Sequence, residues 1–212
     1  MGLDPMSASQ RICATIEARM TSTRLPGKVL METAGKPMLA HMVERLKRVP
    51  QLDDIIIATT TNTTDDPIVK LARTLKVLWY RGPEHDVLDR VLGAALTHKV
   101  DIVVETTGDC PLIDPEIVSD TIETYRSASV DYASNALEPR TYPVGMDTQV
   151  FATDILADVA ERTSAENDRE HVSLFIYNNP KIYKLKAIKA ATHHHAPQVR
   201  LTLDTRQDLK LI

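Results

Sequence analysis

Residues 54–80, "DIIIATTTNTTDDPIVKLARTLKVLWY", decide the fold. An apolar, β-branched run gives way to a polar turn, and then to a stretch that returns Ile68, Leu71, Ala72 and Leu75 to one side at intervals of three and four. A second apolar run follows at 77–80. The first pattern fits a strand buried on both faces and the second an amphipathic helix, here Asp66 to Lys76. Strand, helix and strand together predict a right-handed crossover between parallel strands.

The same rhythm extends in both directions. Upstream lie a strand at 12–16, "ICATI", and a helix over Pro37 to Val49 that repeats Leu39, Met42, Val43 and Leu46. Downstream lie a helix over Asp86 to Lys99, a strand at 101–107, "DIVVETT", and a helix over Pro115 to Ala128 with Asp114 placed to cap it. This is a doubly wound α/β fold with a mostly parallel sheet. After Tyr132 the pattern changes. "YASNALEPRTYPVGMDTQVF", 132–151, carries turn residues where another crossover helix is due, and reads as an inserted hairpin or loop segment in one domain spanning 11–212. Helical spacing returns at Thr153 to Arg162 and Glu166 to Asn178, then strands at 183–190 and 199–204 and one helical turn are expected.

Composition bounds the function. The 212 residues are 43% apolar with a net charge of −4, which supports a sizeable core and gives no global basic field for nucleic acid or acidic membranes. No apolar run approaches the roughly 20 residues of a membrane span, and no signal-peptide pattern opens the chain, so a cytoplasmic protein is expected. Residues 1–10 read as a flexible start in which Met1 to Pro5 are a vector-derived addition. Cys13 and Cys110 lack metal or disulfide spacing and read as buried free thiols; "HHH" at 193–195 reads as an internal loop.

Against this acidic background, "ARMTSTRLPGKVL", 18–30, concentrates Arg19, Arg24 and Lys28 directly after the first strand. Ligands of open α/β sheets bind beyond the carboxyl ends of the strands, so the loop is placed to hold phosphates, with Ser22 and free backbone N–H groups completing the cradle. A solvated basic loop is the plain alternative. Neither the Walker nor the dinucleotide glycine pattern is present. Asp109 in "TTGDCPL", 106–112, and Asp204 in "LTLDTRQDL", 201–209, each end an expected strand. Together they would make a two-carboxylate Mg²⁺ site, with Mn²⁺ an equal match for oxygen ligands, provided the two strands are close. An Asx turn at the strand end is the plain alternative for Asp109, and Thr205 with Asp208 reads as a helix cap.

Taken in order, "ARMTSTRLPGKVL", "RGPEHDVLDR", "TTGDCPLIDP", "DYASN", "YPVGMDTQVF", "DREHV" and "RLTLDTRQDL" resemble the cytidylyltransferases that activate acidic sugars with CTP. The branch they resemble is the spore-coat polysaccharide biosynthesis type, related to the acylneuraminate and 3-deoxy-manno-octulosonate enzymes. The resemblance runs from about Arg11 to the end and implies a Rossmann-like nucleotide-diphospho-sugar transferase fold. It implies triphosphate binding by Arg19, Ser22, Arg24 and Lys28, with Arg19, Lys28 and Asp109 catalytic and Asp109 and Asp204 on the metal. Ala58 and Thr59 would face the cytosine. Arg81, Asp86, Arg90, Glu105, Gln149, Arg169, Glu170 and His171 would face the sugar. For Asp86 a helix cap, for Arg90 an i,i+4 pair with Asp86, and for 169–171 a salt-bridged helix face are the structural alternatives.

Glu105 stands where the branch has a basic residue and Gln149 where it has an acidic one, so the accepted sugar should differ. The chain stops at Ile212, one turn into its last helix, where relatives commonly continue, which would weaken activity. A homodimer paired through Tyr132 to Phe151 is implied. Two other classes stay open: a nucleotidyltransferase for another nucleotide or acceptor, and a binding protein that kept the fold without the chemistry.

Overall fold

The structure, a computed structural model, describes residues 10–212; the expectation for Met1 to Pro5 lies outside the described residues. Strand β1 (Ile12–Glu17) leads into the basic loop and a 3-10 turn at Lys28–Leu30. A two-residue hairpin, β2 (Glu32–Thr33) and β3 (Lys36–Pro37), precedes α1 (Met38–Leu46). Next come β4 (Asp54–Thr60), α2 (Asp66–Leu75), β5 (Leu78–Gly82), α3 (Val87–Thr97), β6 (Ile102–Thr107) and α4 (Pro115–Ser127). The remainder is β7 (Tyr132–Ser134), β8 (Gln149–Ala152), α5 (Thr153–Arg162), α6 (Glu166–Glu170), α7 (Leu174–Asn178), β9 (Leu185–Ala187) and α8 (Arg206–Leu211).

The main sheet has seven strands in the order β5-β4-β1-β6-β8-β7-β9. Strands β5, β4, β1 and β6 run parallel, and β8 lies antiparallel between β6 and β7. The apolar runs are buried on both faces, as parallel strands require. Ile12, Ala14 and Ile16 of β1 join Ile55, Ile57, Ile102 and Val104 in one core with α1, α2 and α4. Cys13, Ile56, Ala58 and Val103 join the other, under α3, α5 and α7. Both cysteines are free and buried. Asp114 caps α4 by accepting from Glu116 N at 2.8 Å, and Thr205 with Asp208 forms a complete capping box on α8.

Four expectations need correction. The 132–151 segment does contain two paired strands, but they sit inside the main sheet, and Tyr132 and Phe151 are fully buried in the chain's own core. The helix expected over Glu166 to Asn178 breaks at His171–Ser173, because His171 leaves helical geometry at φ −109°, ψ 74°. The strand expected at 199–204 is extended chain with one bridge, Val144 to Arg200, since no neighbouring strand offers it a ladder. Only Leu185–Ala187 of the expected 183–190 strand pairs. No helix among the described residues is long and apolar enough to cross a membrane.

Candidate active site

Strand order reverses at β1: the chain adds β4 and β5 on one side and then returns to place β6 on the other. The loops at the carboxyl ends of β1 and β6 therefore border one crevice, the switch point where open α/β sheets bind ligands. A cleft of about 550 Å³ lies there, lined by Arg19, Ser22, Arg24 and Lys28 from the first loop and by Thr107, Gly108 and Asp109 from the second.

Gly27 sets the geometry of the first loop. Its φ of 72° is the left-handed conformation that glycine tolerates, and its N–H donates to Met20 O at 2.9 Å. The turn buries Lys28 and aims its Nζ at two carboxylates, Asp109 Oδ2 at 3.0 Å and Asp204 Oδ1 at 2.9 Å. The last segment reaches this position because Leu203 N donates to Asp109 O at 2.7 Å. Asp204 lies at the end of an extended segment instead of a strand, yet it meets Asp109 across one ammonium group. It also accepts from Arg24 at 2.6 Å and Arg200 at 2.5 Å. Burial alone would push its carboxyl up, but Lys28, Arg200 and Arg24 hold it below the ordinary value.

Glu105, Gln149, Glu170 and His171 line the other part of the cleft, with Glu17, Arg90, Ser173 and Tyr177. Glu105 and Gln149 are directly opposite across β6 and β8. Gln149 Oε1 accepts from Tyr132 Oη at 2.7 Å and Ser173 Oγ at 2.6 Å. Burial pushes the Glu105 carboxyl up to about 7, with the nearby Ser173 hydroxyl pulling the other way. Glu17 is raised well above the carboxylate range by burial and by Glu105, while Arg90 opposes the rise. Arg90 donates to Pro83 O at 2.5 Å and Glu84 O at 3.1 Å, so no side-chain pair with Asp86 forms.

The other expected residues sit outside the cleft lining. Ala58 and Thr59 are fully buried, and Thr59 Oγ1 donates to Asp65 at 3.0 Å. Arg81 holds the 60–66 turn through Thr60 O, Asn62 O and Asp66. Asp86 caps α3 and pairs with Arg169 at 2.6 Å, which joins α3 to α6. Residues that sequence reasoning missed are Glu17, Asp65, Ser173, Tyr177 and Arg200. Glu17 was hidden as the polar end of an apolar strand, although its place one residue before the basic loop is a usable signal.

A cytidylyltransferase family model matches residues 13–212. This chain belongs to the cytidylyltransferase family. The cytidylyltransferase is 33% identical to the spore coat polysaccharide biosynthesis protein SpsF of Bacillus subtilis, over 93% of this chain and 82% of that protein. A solved cytidylyltransferase from Leptospira borgpetersenii superposes with a TM-score of 0.89 at 31% identity, covering 94% of this chain and 84% of the other. A CMP:2-keto-3-deoxy-manno-octonic acid synthetase solved with CTP shares the fold, with a TM-score of 0.71 at 20% identity and coverage of 95% and 96%. The seven-stranded, mostly parallel sheet is thus the Rossmann-like nucleotidyltransferase fold of these enzymes.

Proposed function

We propose that this cytidylyltransferase transfers CMP from CTP to a sugar, releasing pyrophosphate, for polysaccharide or surface-glycan synthesis. The observation that carries the reading is Lys28 Nζ held between Asp109 and Asp204 under a basic loop at the switch point of the sheet. Arg19, Arg24 and Lys28 bind the triphosphate, Ser22 adds a hydroxyl donor, and the cleft volume of about 550 Å³ falls within the range of small-molecule sites. A sugar oxygen attacks the α-phosphorus and the bond to the β-phosphate oxygen breaks. Fixed cations of the loop then stabilise the charge that builds on pyrophosphate, already oriented before the reaction.

The donor chemistry at Asp109 and Asp204 fits Mg²⁺ or Mn²⁺. Two carboxylates converge on one cationic position, and such ions are ordinarily held by one or two carboxylates plus substrate phosphates. No cluster of three or more metal-ligating side chains exists among the described residues. When bound, the ion would add charge neutralisation at the phosphates. The same reading takes the protein as a cytoplasmic homodimer, pairing through the part of 132–151 that carries exposed Glu138 and Pro139.

Calorimetric titration with CTP, ATP, GTP and UTP in the presence of Mg²⁺, on wild type and Asp109→Ala, tests the nucleotide half. Selective CTP binding that weakens in the variant is expected. Equal binding of all four nucleotides, or none, would sink the assignment.

A further inference from the structure

Asp109 and Asp204 converge with all four of their oxygens already accepting from a donor. Lys28 Nζ stands between them, 3.0 Å from Asp109 Oδ2 and 2.9 Å from Asp204 Oδ1. Thr107 Oγ1 donates to Asp109 Oδ1 at 2.7 Å. Arg24 donates to Asp204 Oδ1 at 2.6 Å, and Arg200 donates to Asp204 Oδ2 at 2.5 Å. Three cations therefore face two carboxylates.

A divalent cation approaching this pair in the free enzyme meets an ammonium at the shared position and two guanidinium groups beside it. It would have to displace side chains against like charge in a largely buried place, where repulsion is least screened. The three cations differ in what holds them. Arg200 lies on the same segment as Asp204 and also pairs with Asp208 at 3.5 Å, so it stays with the carboxylate. Lys28 and Arg24 belong to the basic loop and line the cleft. The Arg24 side chain is largely exposed, and Lys28 carries a compact charge on a flexible four-carbon stem. A triphosphate in the cleft offers both groups several charged oxygens, to which guanidinium and ammonium donors bond strongly. When they turn to the phosphates, Asp109 Oδ2 and Asp204 Oδ1 are uncovered.

We propose that Lys28 and Arg24 close the carboxylate pair against divalent cations in the free enzyme and open it by moving onto the triphosphate, so that metal and nucleotide are held only together. The proposal rests on the cytidylyl-transfer reading and adds an order of events to it. One set of cations serves twice, first as a plug between the carboxylates and then as the phosphate clamp. By linkage, whatever the nucleotide adds to metal affinity the metal adds to nucleotide affinity.

The test titrates Mn²⁺ alone into the nucleotide-free enzyme and reads the unbound ion from its electron paramagnetic resonance signal. The proteins are wild type, Lys28→Met, Lys28→Arg, Arg24→Gln and the double variant Lys28→Met with Asp109→Asn. Although it lacks a cation of the phosphate loop, Lys28→Met should bind Mn²⁺ at least about tenfold more tightly than wild type, because a unit of like charge has left the position. Lys28→Arg keeps the charge and should bind as weakly as wild type, and the gain should vanish in the double variant. Arg24→Gln, a change at an exposed side chain, should show a smaller gain of the same sign, and it carries the test if Lys28→Met does not fold. Wild-type affinity equal to that of the neutral variants, or a gain that survives Asp109→Asn, overturns the proposal. Calorimetric titration of wild type with the four nucleoside triphosphates and Mg²⁺ separates the two readings. Selective CTP binding leaves cytidylyl transfer standing whichever way the Mn²⁺ titration falls; its absence removes the parent reading and the proposal with it.

Discussion

Lys28 carries the largest share of the site's organisation, because its ammonium joins two carboxylates that are 95 positions apart in sequence. Lys28→Ala should lower the rate of pyrophosphate release roughly 10² to 10³-fold, the range for losing one preorganised charge donor. A rate assay at saturating CTP checks this, and an unchanged rate would remove Lys28 from the machinery. Glu105 makes a different kind of prediction. Its folded-state carboxyl titrates near 7 instead of its ordinary 4.5, so between those values the folded protein holds more proton than the unfolded chain. Stability from this group therefore falls as pH rises through that window. The groups around it are Glu17, Arg90, Tyr132 and Tyr177: the glutamate adds to the effect, and the tyrosine hydroxyls stay neutral throughout the window. Glu105→Gln should thus raise Tm at pH 8 by at least about 2 °C, with the gain vanishing towards pH 5. A thermal melt series across pH reads it, and an equal gain at both ends would contradict a titrating origin.

Elements whose signal is local were legible in sequence, and those that depend on distant partners were not. Strand β4 runs from Asp54 to Thr60 around its apolar run Ile55 to Ala58, and every residue from Ile55 to Thr60 is buried. Segment 199–204 alternates apolar and polar residues as a half-buried strand would, yet it has only the one bridge to Val144, because strandhood needs a neighbour that sequence does not display. Asp65 shows the same limit within the site. It reads as one acid in a polar turn, but it is fully buried and accepts from Met20 N at 2.8 Å, Thr59 Oγ1 at 3.0 Å, Thr60 N at 3.1 Å and Thr60 Oγ1 at 2.5 Å. That cluster ties the start of the basic loop to the end of β4. Asp65→Asn would replace an acceptor with an N–H₂ group facing donors, at a cost of about 1 to 3 kcal/mol. Lower stability in denaturant melts and a raised KM for CTP are expected together; a stability loss with unchanged KM would confine Asp65 to the scaffold.

Across the whole molecule, the site depends on how the carboxyl-terminal segment is laid against the sheet. Loop Val144–Gly145 grips that segment: Val144 N donates to Val199 O at 3.0 Å, and Leu201 N donates to Val144 O at 2.8 Å. Gly145 has φ +100°, and a Cβ there would stand 2.7 Å from both Leu201 C and Thr202 N. These are backbone atoms that a rotamer change cannot clear. Downstream, Leu203 and the half-buried Leu209 and Ile212 pack on Leu25 and Met38, so the segment and the basic loop share one small core. Moving residues 200–204 therefore moves Asp204, and with it one of the two anchors of Lys28. Gly145→Ala should destabilise the fold by roughly 1 to 3 kcal/mol through overpacking and strained backbone. It should also weaken CTP binding, although Gly145 lies outside the cleft lining. Comparing the calorimetric Kd for CTP with the midpoint of denaturation separates the two effects. A destabilised variant that binds CTP as tightly as wild type would show that Asp204 holds its place without this grip.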